Sequence, residues 1–303
     1  MPDISIIIIN WNTRDLLAEC LESLYKTISG TSFDIWVVDN ASTDDSVEMV
    51  QTRFPSVQLI LNRDNVGFAR ANNQAMIASQ GRTMLLFNSD AVATPGAVAA
   101  LMQIIEAHPQ AGIVGAHLVN PDGSFQASHS PFPHLWQEFL ILSGLGRLIY
   151  GRWYPSRGPQ EAKGPQPVDY VEGACLLVRR EAFEQAGGLD EGYFMYAEEV
   201  DWCYSMRRTG WQVWYQPAAR IIHYGGGSSR NRRTQREADL YRSRVRFFRK
   251  HYGDAAALAL KTLIYLLTAI KVITHGTLRL LSGNRRGRAV VGISDLMTAL
   301  RNV

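Results

Sequence analysis

The chain has 303 residues, 46% hydrophobic and 19% charged, which excludes disordered, collagen-like and coiled-coil chains and fits one large α/β domain or a domain with an appendage. Three cysteines (Cys20, Cys175, Cys203) at no metal-ligand spacing exclude a disulfide-built secreted scaffold, and the first residues lack the basic stretch and cleavage site of an export signal. The net charge of +3 is split: residues 1–226 hold 15 Lys and Arg against 24 Asp and Glu, and residues 227–303 hold 16 against 4, an acidic body with a basic tail suited to phosphate.

In chain order, Ile4–Ile9 is a β-branched run of the kind carried by a strand buried on both faces. Residues 14–29 follow with Leu16, Leu17, Cys20, Leu21 and Leu24 at helical spacing. A strand at 35–38, a helix at 44–53, a strand at 57–61, a helix at 67–79 and a strand at 83–87 complete a βαβαβαβ pattern. That alternation predicts an α/β fold with a mostly parallel sheet between helices. Residues 94–107 read as a helix ended by His108-Pro109. Residues 121–167 are rich in proline and read as loops around an apolar patch, Leu135 to Tyr154, an insertion suited to acceptor or membrane contact. Beyond it lie a strand at 168–178, a helix at 181–186, a helix at 198–208 and a last strand at 211–215 before Pro217.

Ligands of such sheets bind beyond the carboxyl ends of the strands. Polar clusters stand there four times: Asn10/Asn12, Asp39/Asn40, Asp64/Asn65 and Asn88/Asp90. Asn and Asp also favour turns, but the coincidence of all four points to a site. No GxGxxG follows the first strand and no GxxxxGK[ST] occurs, which disfavours dinucleotide and P-loop chemistry. A carboxylate at a strand end suits a divalent ion that keeps waters and takes diphosphate oxygens as further ligands.

An ordered series of short motifs now stands out. Ile-Ile-Ile-Asn-Trp-Asn (7–12), Val-Val-Asp-Asn-Ala-Ser-Thr-Asp (37–44), Asn-Val-Gly-Phe-Ala (65–69) and Asn88-Ser89-Asp90 come first. Gly-Gly-Leu-Asp (187–190), Tyr-Ala-Glu-Glu-Val-Asp (196–201) and His223 follow. Together they resemble a family-2 glycosyltransferase of the GT-A fold, in its rhamnosyltransferase-like branch, over about residues 3–253. The resemblance implies that Asp39 recognises the base or ribose of a nucleotide-sugar donor, a dTDP- or UDP-sugar. Asn10, Asn12, Asn65, Gly67, Asn88 and Ser89 would stand nearby. Asp90 stands at the last position of the metal-binding DxD motif, whose first position is Asn88 here, and His223 matches a late metal-ligand position. The implied cofactor is Mg2+ or Mn2+, and an imidazole beside a carboxylate widens tolerance toward Mn2+.

Glu198, Glu199 and Asp201 crowd the start of one helix, where acids complement the helix dipole. One of them can also serve as the general base that deprotonates an acceptor hydroxyl, and the helix N-terminus is expected to help keep it ionised. The family carries Glu-Asp at the 198–199 pair with the second residue as base, so Glu199 inherits that role, with Glu198 and Asp201 as further candidates. Direct displacement with one base implies inversion at the anomeric carbon. The Gln-x-x-Arg-Trp string of processive relatives is absent, so one or a few sugars are expected per acceptor.

The tail carries Arg230, Arg232, Arg233, Arg236, Arg242, Arg244, Arg246, Arg249 and Lys250, with Tyr241, Phe247 and Phe248 among them. Residues 255–281 are apolar, but Lys261 and Lys271 leave no uncharged run near the roughly 20 residues a membrane span needs. On a helical wheel Asp254, Lys261, Thr268, His275 and Arg279 form a narrow polar stripe beside Lys271, with Arg285, Arg286 and Arg288 beyond. A basic amphipathic segment on a membrane surface fits this pattern. Packing on the body or on a second copy, making a homo-oligomer, is the alternative; nucleic acid is not expected.

The expected organisation is therefore a transferase domain, 1–226, and a basic helical extension, 227–303. The expected function is transfer of a sugar, L-rhamnose from dTDP-rhamnose, onto a lipid-linked glycan acceptor, by a metal-dependent enzyme peripheral on the cytoplasmic face of the cell membrane. The alternative is a catalytically weak sugar-nucleotide-binding or scaffold subunit of a glycan-assembly complex. A nucleotidyltransferase would want a Gly/Arg/Lys-rich phosphate loop near the N-terminus, and none occurs.

Overall fold

The computed structural model describes residues 1–156, 158, 164–226 and 233–282, with the side chains of 233–237, 272 and 275–282 not described. Packing divides the chain into two units, Met1–Phe132 with Ser156–Arg230 and Pro133–Pro155 with Asn231–Val303.

The first unit opens with β1 (Ile4–Asn10), α1 (Arg14–Thr27), β2 (Phe33–Asp39), α2 (Ser46–Arg53), β3 (Gln58–Leu61), α3 (Phe68–Ala78) and β4 (Thr83–Phe87). The expected alternation is present, and β1 pairs in parallel with β2 and β4, and β2 with β3. Then come β5 (Ala91–Ala93), α4 (Ala97–Ala107), β6 (Ala111–Val119) and β7 (His129–Ser130). The second unit contributes α5 (Leu135–Ser143) and α6 (Leu145–Tyr150), after which the first continues with β8 (Gln166–Val168), β9 (Tyr170–Val171), β10 (Cys175–Arg179), α7 (Arg180–Ala186), α8 (Glu198–Arg208) and β11 (Gln212–His223).

The large sheet runs β3-β2-β1-β4-β10-β6-β11-β5, with β8 beside β11. It is parallel from β3 through β4 and mixed beyond, because β10 enters antiparallel between β4 and β6. Side chains alternate between faces along each strand. Ile4, Ile6 and Ile8 of β1 enter a core with α1, α2 and α4, while Ile7 enters the opposite core with α3, α7 and α8. That double cover is why β1 is isoleucine at every position from Ile4 to Ile9 except Ser5. Cys20, Cys175 and Cys203 are free and buried in these cores.

Three features depart from the sequence expectation. The strand β6 escapes notice because Gly112 and Gly115 dilute its β signal. Residues 168–178 form three short strands, interrupted at Asp169 and at Glu172-Gly173. Finally, β11 continues through Pro217 to His223, absorbing the proline in a register shift between Gln216 and Arg220.

Gly115 is required by close approach, since a Cβ there would lie 2.3 Å from Cβ of Val171. We predict that Gly115→Ala destabilises the protein by about 1–3 kcal/mol in urea unfolding. Gly115→Ala with Val171→Ala should cost less than the two single changes summed.

The second unit contains α5, α6, α9 (Arg233–Tyr252) and α10 (Asp254–Ser282). The apolar patch 135–154, expected as an insertion among loops, contains the helices α5 and α6. Glu138 of α5 is buried and paired with Arg244 of α9 at 2.7 Å. Burial raises the Glu138 carboxyl and the Arg244 guanidinium opposes the shift. Phe247 and Phe248, interleaved with arginines in the sequence, are buried rather than displayed. Among the described residues no helix is long and apolar enough to cross a membrane. Gly227, Arg230, Arg232, Arg285, Arg286 and Arg288 lie outside the described residues, as do the side chains of Arg233, Arg236, His275 and Arg279.

Candidate active site

The strand ends of β1, β2 and β4 are stitched by one hydrogen-bond network. The Asn10 amide donates to Asp39 Oδ2 at 2.8 Å and to Ser42 Oγ at 3.0 Å, and the Ser42 backbone N–H donates to Asp39 Oδ1 at 2.8 Å. Thr13 Oγ1 donates to Asn10 Oδ1 at 2.7 Å and lies 2.9 Å from Ser89 Oγ. Asn10 is wholly buried with its amide spent on this network, so it orients Asp39. Asn12, at φ 54°, accepts from the Thr43 N–H and ties the first loop to the second. Asn65 Oδ1 accepts from the Gly67 N–H at 3.0 Å. Gly67 sits at φ 88° where a Cβ would meet the Phe194 carbonyl oxygen at 2.7 Å, so no other residue fits that turn.

Asp90 and His223 meet because β5 pairs antiparallel with β11, His223 opposite Ala91. The Tyr224 N–H donates to the Asp90 carbonyl at 3.0 Å and locks the register. Nε2 of His223 lies 3.2 Å from Asp90 Oδ1 and 3.4 Å from Asn88 Nδ2. Its Nδ1 lies 2.6 Å from Gln126 Oε1. Gln126 is oriented by its own donors, which reach Asn120 Oδ1 at 3.1 Å and the His223 carbonyl at 3.4 Å. An amide oxygen only accepts, so Nδ1 carries a proton and Nε2 is the ring nitrogen that faces Asp90. An imidazole nitrogen and a carboxylate oxygen this close, with the ring fixed from behind, suit a cation between them. Among the described residues no group of three or more His, Cys, Asp or Glu gathers, so the remaining ligands would be oxygens of water and diphosphate.

Glu199 reaches the same strand ends from α8. The Asn88 N–H donates to the Ala174 carbonyl at 3.0 Å, and the adjoining Gly173 packs on the Glu199 side chain, 3.6 Å from a Cβ built on the glycine. Asn88 and Glu199 are thus joined through one short turn, between β9 and β10. The backbone entering α8 is strained, with Tyr196 at φ 72° and Ala197 at φ 65°, a conformation kept where surroundings impose it.

The three acids of α8 have three fates. Asp201 is buried and accepts from the Tyr193 hydroxyl at 3.2 Å, holding the loop before the helix. Glu198 is 5% exposed, and its Oε2 has no hydrogen-bond partner. Burial, with Glu199 beside it, pushes its carboxyl well above the usual range. Glu199 is partly exposed, and burial pushes it up to about 7 against the backbone N–H groups of Glu199 and Val200. Desolvation therefore outweighs the helix N-terminus, contrary to the sequence expectation. A carboxyl titrating near neutrality is suited to taking a proton from a hydroxyl.

A cleft lined by His129, Gln166, Asp169 and Arg207 lies at the other end of β11, by Gln212 and Val213, and contains none of the candidates. Sequence reasoning missed Gln126, which no motif marks, and Ser42 and Thr13, whose signal was their place beside the asparagines and Asp39.

The family described as Glycosyl transferase family 2 matches residues 5–187, more than half of the chain. The chain belongs to that family. Among the relatives of this glycosyltransferase is the N-acetylglucosaminyl-diphospho-decaprenol L-rhamnosyltransferase of Mycobacterium tuberculosis strain H37Rv, 34% identical over an alignment of 215 residues that covers 64% of this chain and 67% of that one. A similar solved structure is the mannosyltransferase PcManGT of Pyrobaculum calidifontis in complex with GDP-Man and Mn2+, at 16% identity and TM-score 0.59, over 99% of this chain and 86% of that one. Another is GalNAc-T7 with UDP, GalNAc and Mn2+, at 14% identity and TM-score 0.58, over 82% of this chain and about half, 48%, of that one. The likeness to these two structures shows the fold, which is GT-A. Glu198, Glu199, Asp201 and His223 lie beyond the residues that the family model matches.

The raised carboxyl of Glu199 carries a stability consequence. Its folded value of about 7 exceeds the unfolded carboxyl value, so its fold contribution is fully present at acid pH and is lost as pH rises toward and through 7. Glu199→Gln removes that penalty. We predict a gain of about 1–3 kcal/mol at pH 8 and none at pH 4, read by thermal or urea unfolding.

Proposed function

We propose that this glycosyltransferase moves a sugar, L-rhamnose from dTDP-rhamnose, onto a hydroxyl of a lipid-linked glycan, with inversion at the anomeric carbon. The observation that carries this reading is the Glu199 carboxyl, pushed up to about 7, on the same strand ends as Asp90 and His223. The rhamnose and lipid-diphosphate acceptor come from the name of the mycobacterial relative.

Asp39, held from behind by Asn10 and Ser42, recognises the donor's ribose or base. Asn12, Asn65, Gly67, Asn88 and Ser89 shape the surrounding edge. Asp90 and His223 hold Mg2+ or Mn2+, which when bound supplies positive charge against the departing diphosphate. Glu199 takes the proton of the acceptor hydroxyl as its oxygen forms the bond to the anomeric carbon. The bond from that carbon to the diphosphate oxygen breaks, and the nucleoside diphosphate leaves with the electron pair. Glu198, kept neutral, adds no second negative charge beside the incoming oxygen. In this reading residues 1–226 perform the transfer, and 227–303 hold the enzyme at the cytoplasmic face of a membrane carrying the acceptor.

Transfer from dTDP-, UDP- and GDP-sugars to a short-chain lipid-diphosphate N-acetylglucosamine tests it, with product configuration read by NMR. Glu199→Gln should lower kcat by about 100-fold or more while donor binding persists. Unchanged transfer would remove Glu199 as base, and no transfer from any donor by the wild type would favour a scaffold role. Wild-type kcat/KM should rise with pH through about 7, the value of Glu199. Gln126→Leu, which frees the His223 ring, should weaken Mn2+ binding by about 10–100-fold in calorimetry, whereas Gln126→Glu, which keeps an acceptor, should not.

A further inference from the structure

The second unit displays apolar side chains in two places. In α6, between Gly144 at φ 79° and Gly151 at φ 93°, Leu148 is 81% exposed, and Ile149 and Tyr150 beside it are exposed too. Arg147 is exposed within the same turn, and the Arg152 guanidinium stacks 4.4 Å over the Trp153 ring. In α10 the buried residues are Ala257, Leu260 and Ile264, the inner face of the helix. Lys261 and Thr268 fall within about 40° of Ala257 around the helix axis, flanking that inner face. The opposite face carries Leu258, 66% exposed, with Leu266, Ile270 and Ile273 also exposed. A helix facing water turns its polar stripe outward; α10 turns its apolar face outward instead.

We propose that α6 and the outer face of α10 are two separate contacts with one kind of partner, a bilayer leaflet containing anionic lipid. In it α6 enters as a short apolar tip and α10 lies flat at the headgroup boundary. The argument is charge complementarity. Residues 227–303 hold 16 Lys and Arg against 4 Asp and Glu, and Arg147 and Arg152 flank the α6 tip. A second copy docking through the α6 tip would bring Arg147 and Arg152 against like charge, whereas anionic headgroups neutralise them. Three adjoining exposed apolar residues at a tip are out of place in water and at home at an acyl boundary. This rests on the reading of the basic tail as membrane-bound and adds α6, far from the tail in sequence, as a second contact.

The test is flotation of the full chain with vesicles of phosphatidylglycerol and phosphatidylcholine in equal parts, against phosphatidylcholine alone. Wild type should partition to the anionic vesicles. Leu148→Gln with Ile149→Gln, and separately Leu266→Gln with Ile270→Gln, should each weaken partitioning by about tenfold. Binding of dTDP with Mn2+ is measured on each variant: retention shows a folded donor site, so the vesicle result stands apart from the transferase reading. If only the α10 variant weakens, the α6 contact is overturned and the tail reading survives. If neither weakens, or if wild type binds neutral vesicles equally, the proposal is overturned. A concentration-dependent dimer that both variants abolish, without vesicle binding, overturns it in favour of a second copy.

Discussion

The backbone bond from Tyr224 to the Asp90 carbonyl is the constraint on which the meeting of Asp90 and His223 depends. It fixes β11 against β5 and so places an imidazole from the end of the unit beside a carboxylate from its middle. Everything upstream in β11 serves that placement. The register shift at Pro217 sets which residue of the strand arrives there, and a slip by one would turn His223 to the other face. Gln126 then decides which ring nitrogen looks outward. The site is thus held by main-chain geometry, with side chains added last.

At α8 the deciding effect is desolvation. Three acids occupy one helical turn, and the dipole acts on all of them alike, yet they end in different states. Asp201 gains a tyrosine hydroxyl, Glu198 is left buried with an unpartnered oxygen, and Glu199 is the most exposed of the three. A dipole contribution of about 0.3–1 kcal/mol is small beside the cost of removing a carboxylate from water. The left-handed Tyr196 and Ala197 deliver the helix in this orientation, a strain consistent with a site whose requirements run against stability.

How much of this could be read from the sequence follows physical lines. The strands β1, β2 and β4 were legible because burial on both faces calls for mostly apolar runs, and their polar ends were legible because four such clusters coincide. β6 was not, since its glycines serve close packing with Val171 and Trp211 and mimic a loop. Pro217 concealed the far half of β11 because a proline normally ends a central strand. The approach of Glu199 to Asn88 through the turn at Gly173, and the support of His223 by Gln126, depend on long-range contacts that no local pattern announces. Phe247 and Phe248, which stand among arginines in the sequence, are buried, a state that composition alone does not reveal.

The order of the strands has one more consequence. The Asn10–Asp39–Ser89 network comes from one continuous stretch, β1 through β4, whereas Glu199 and His223 come from a later one, and the two meet along the seam where β10 lies on β4. That seam is made of backbone bonds and generic aliphatic side chains, Leu85 and Leu86 against Leu177 and Leu176. Asp90 of the first stretch and His223 of the second nevertheless touch, so a change at either strand end is felt by the other and the two halves must vary together.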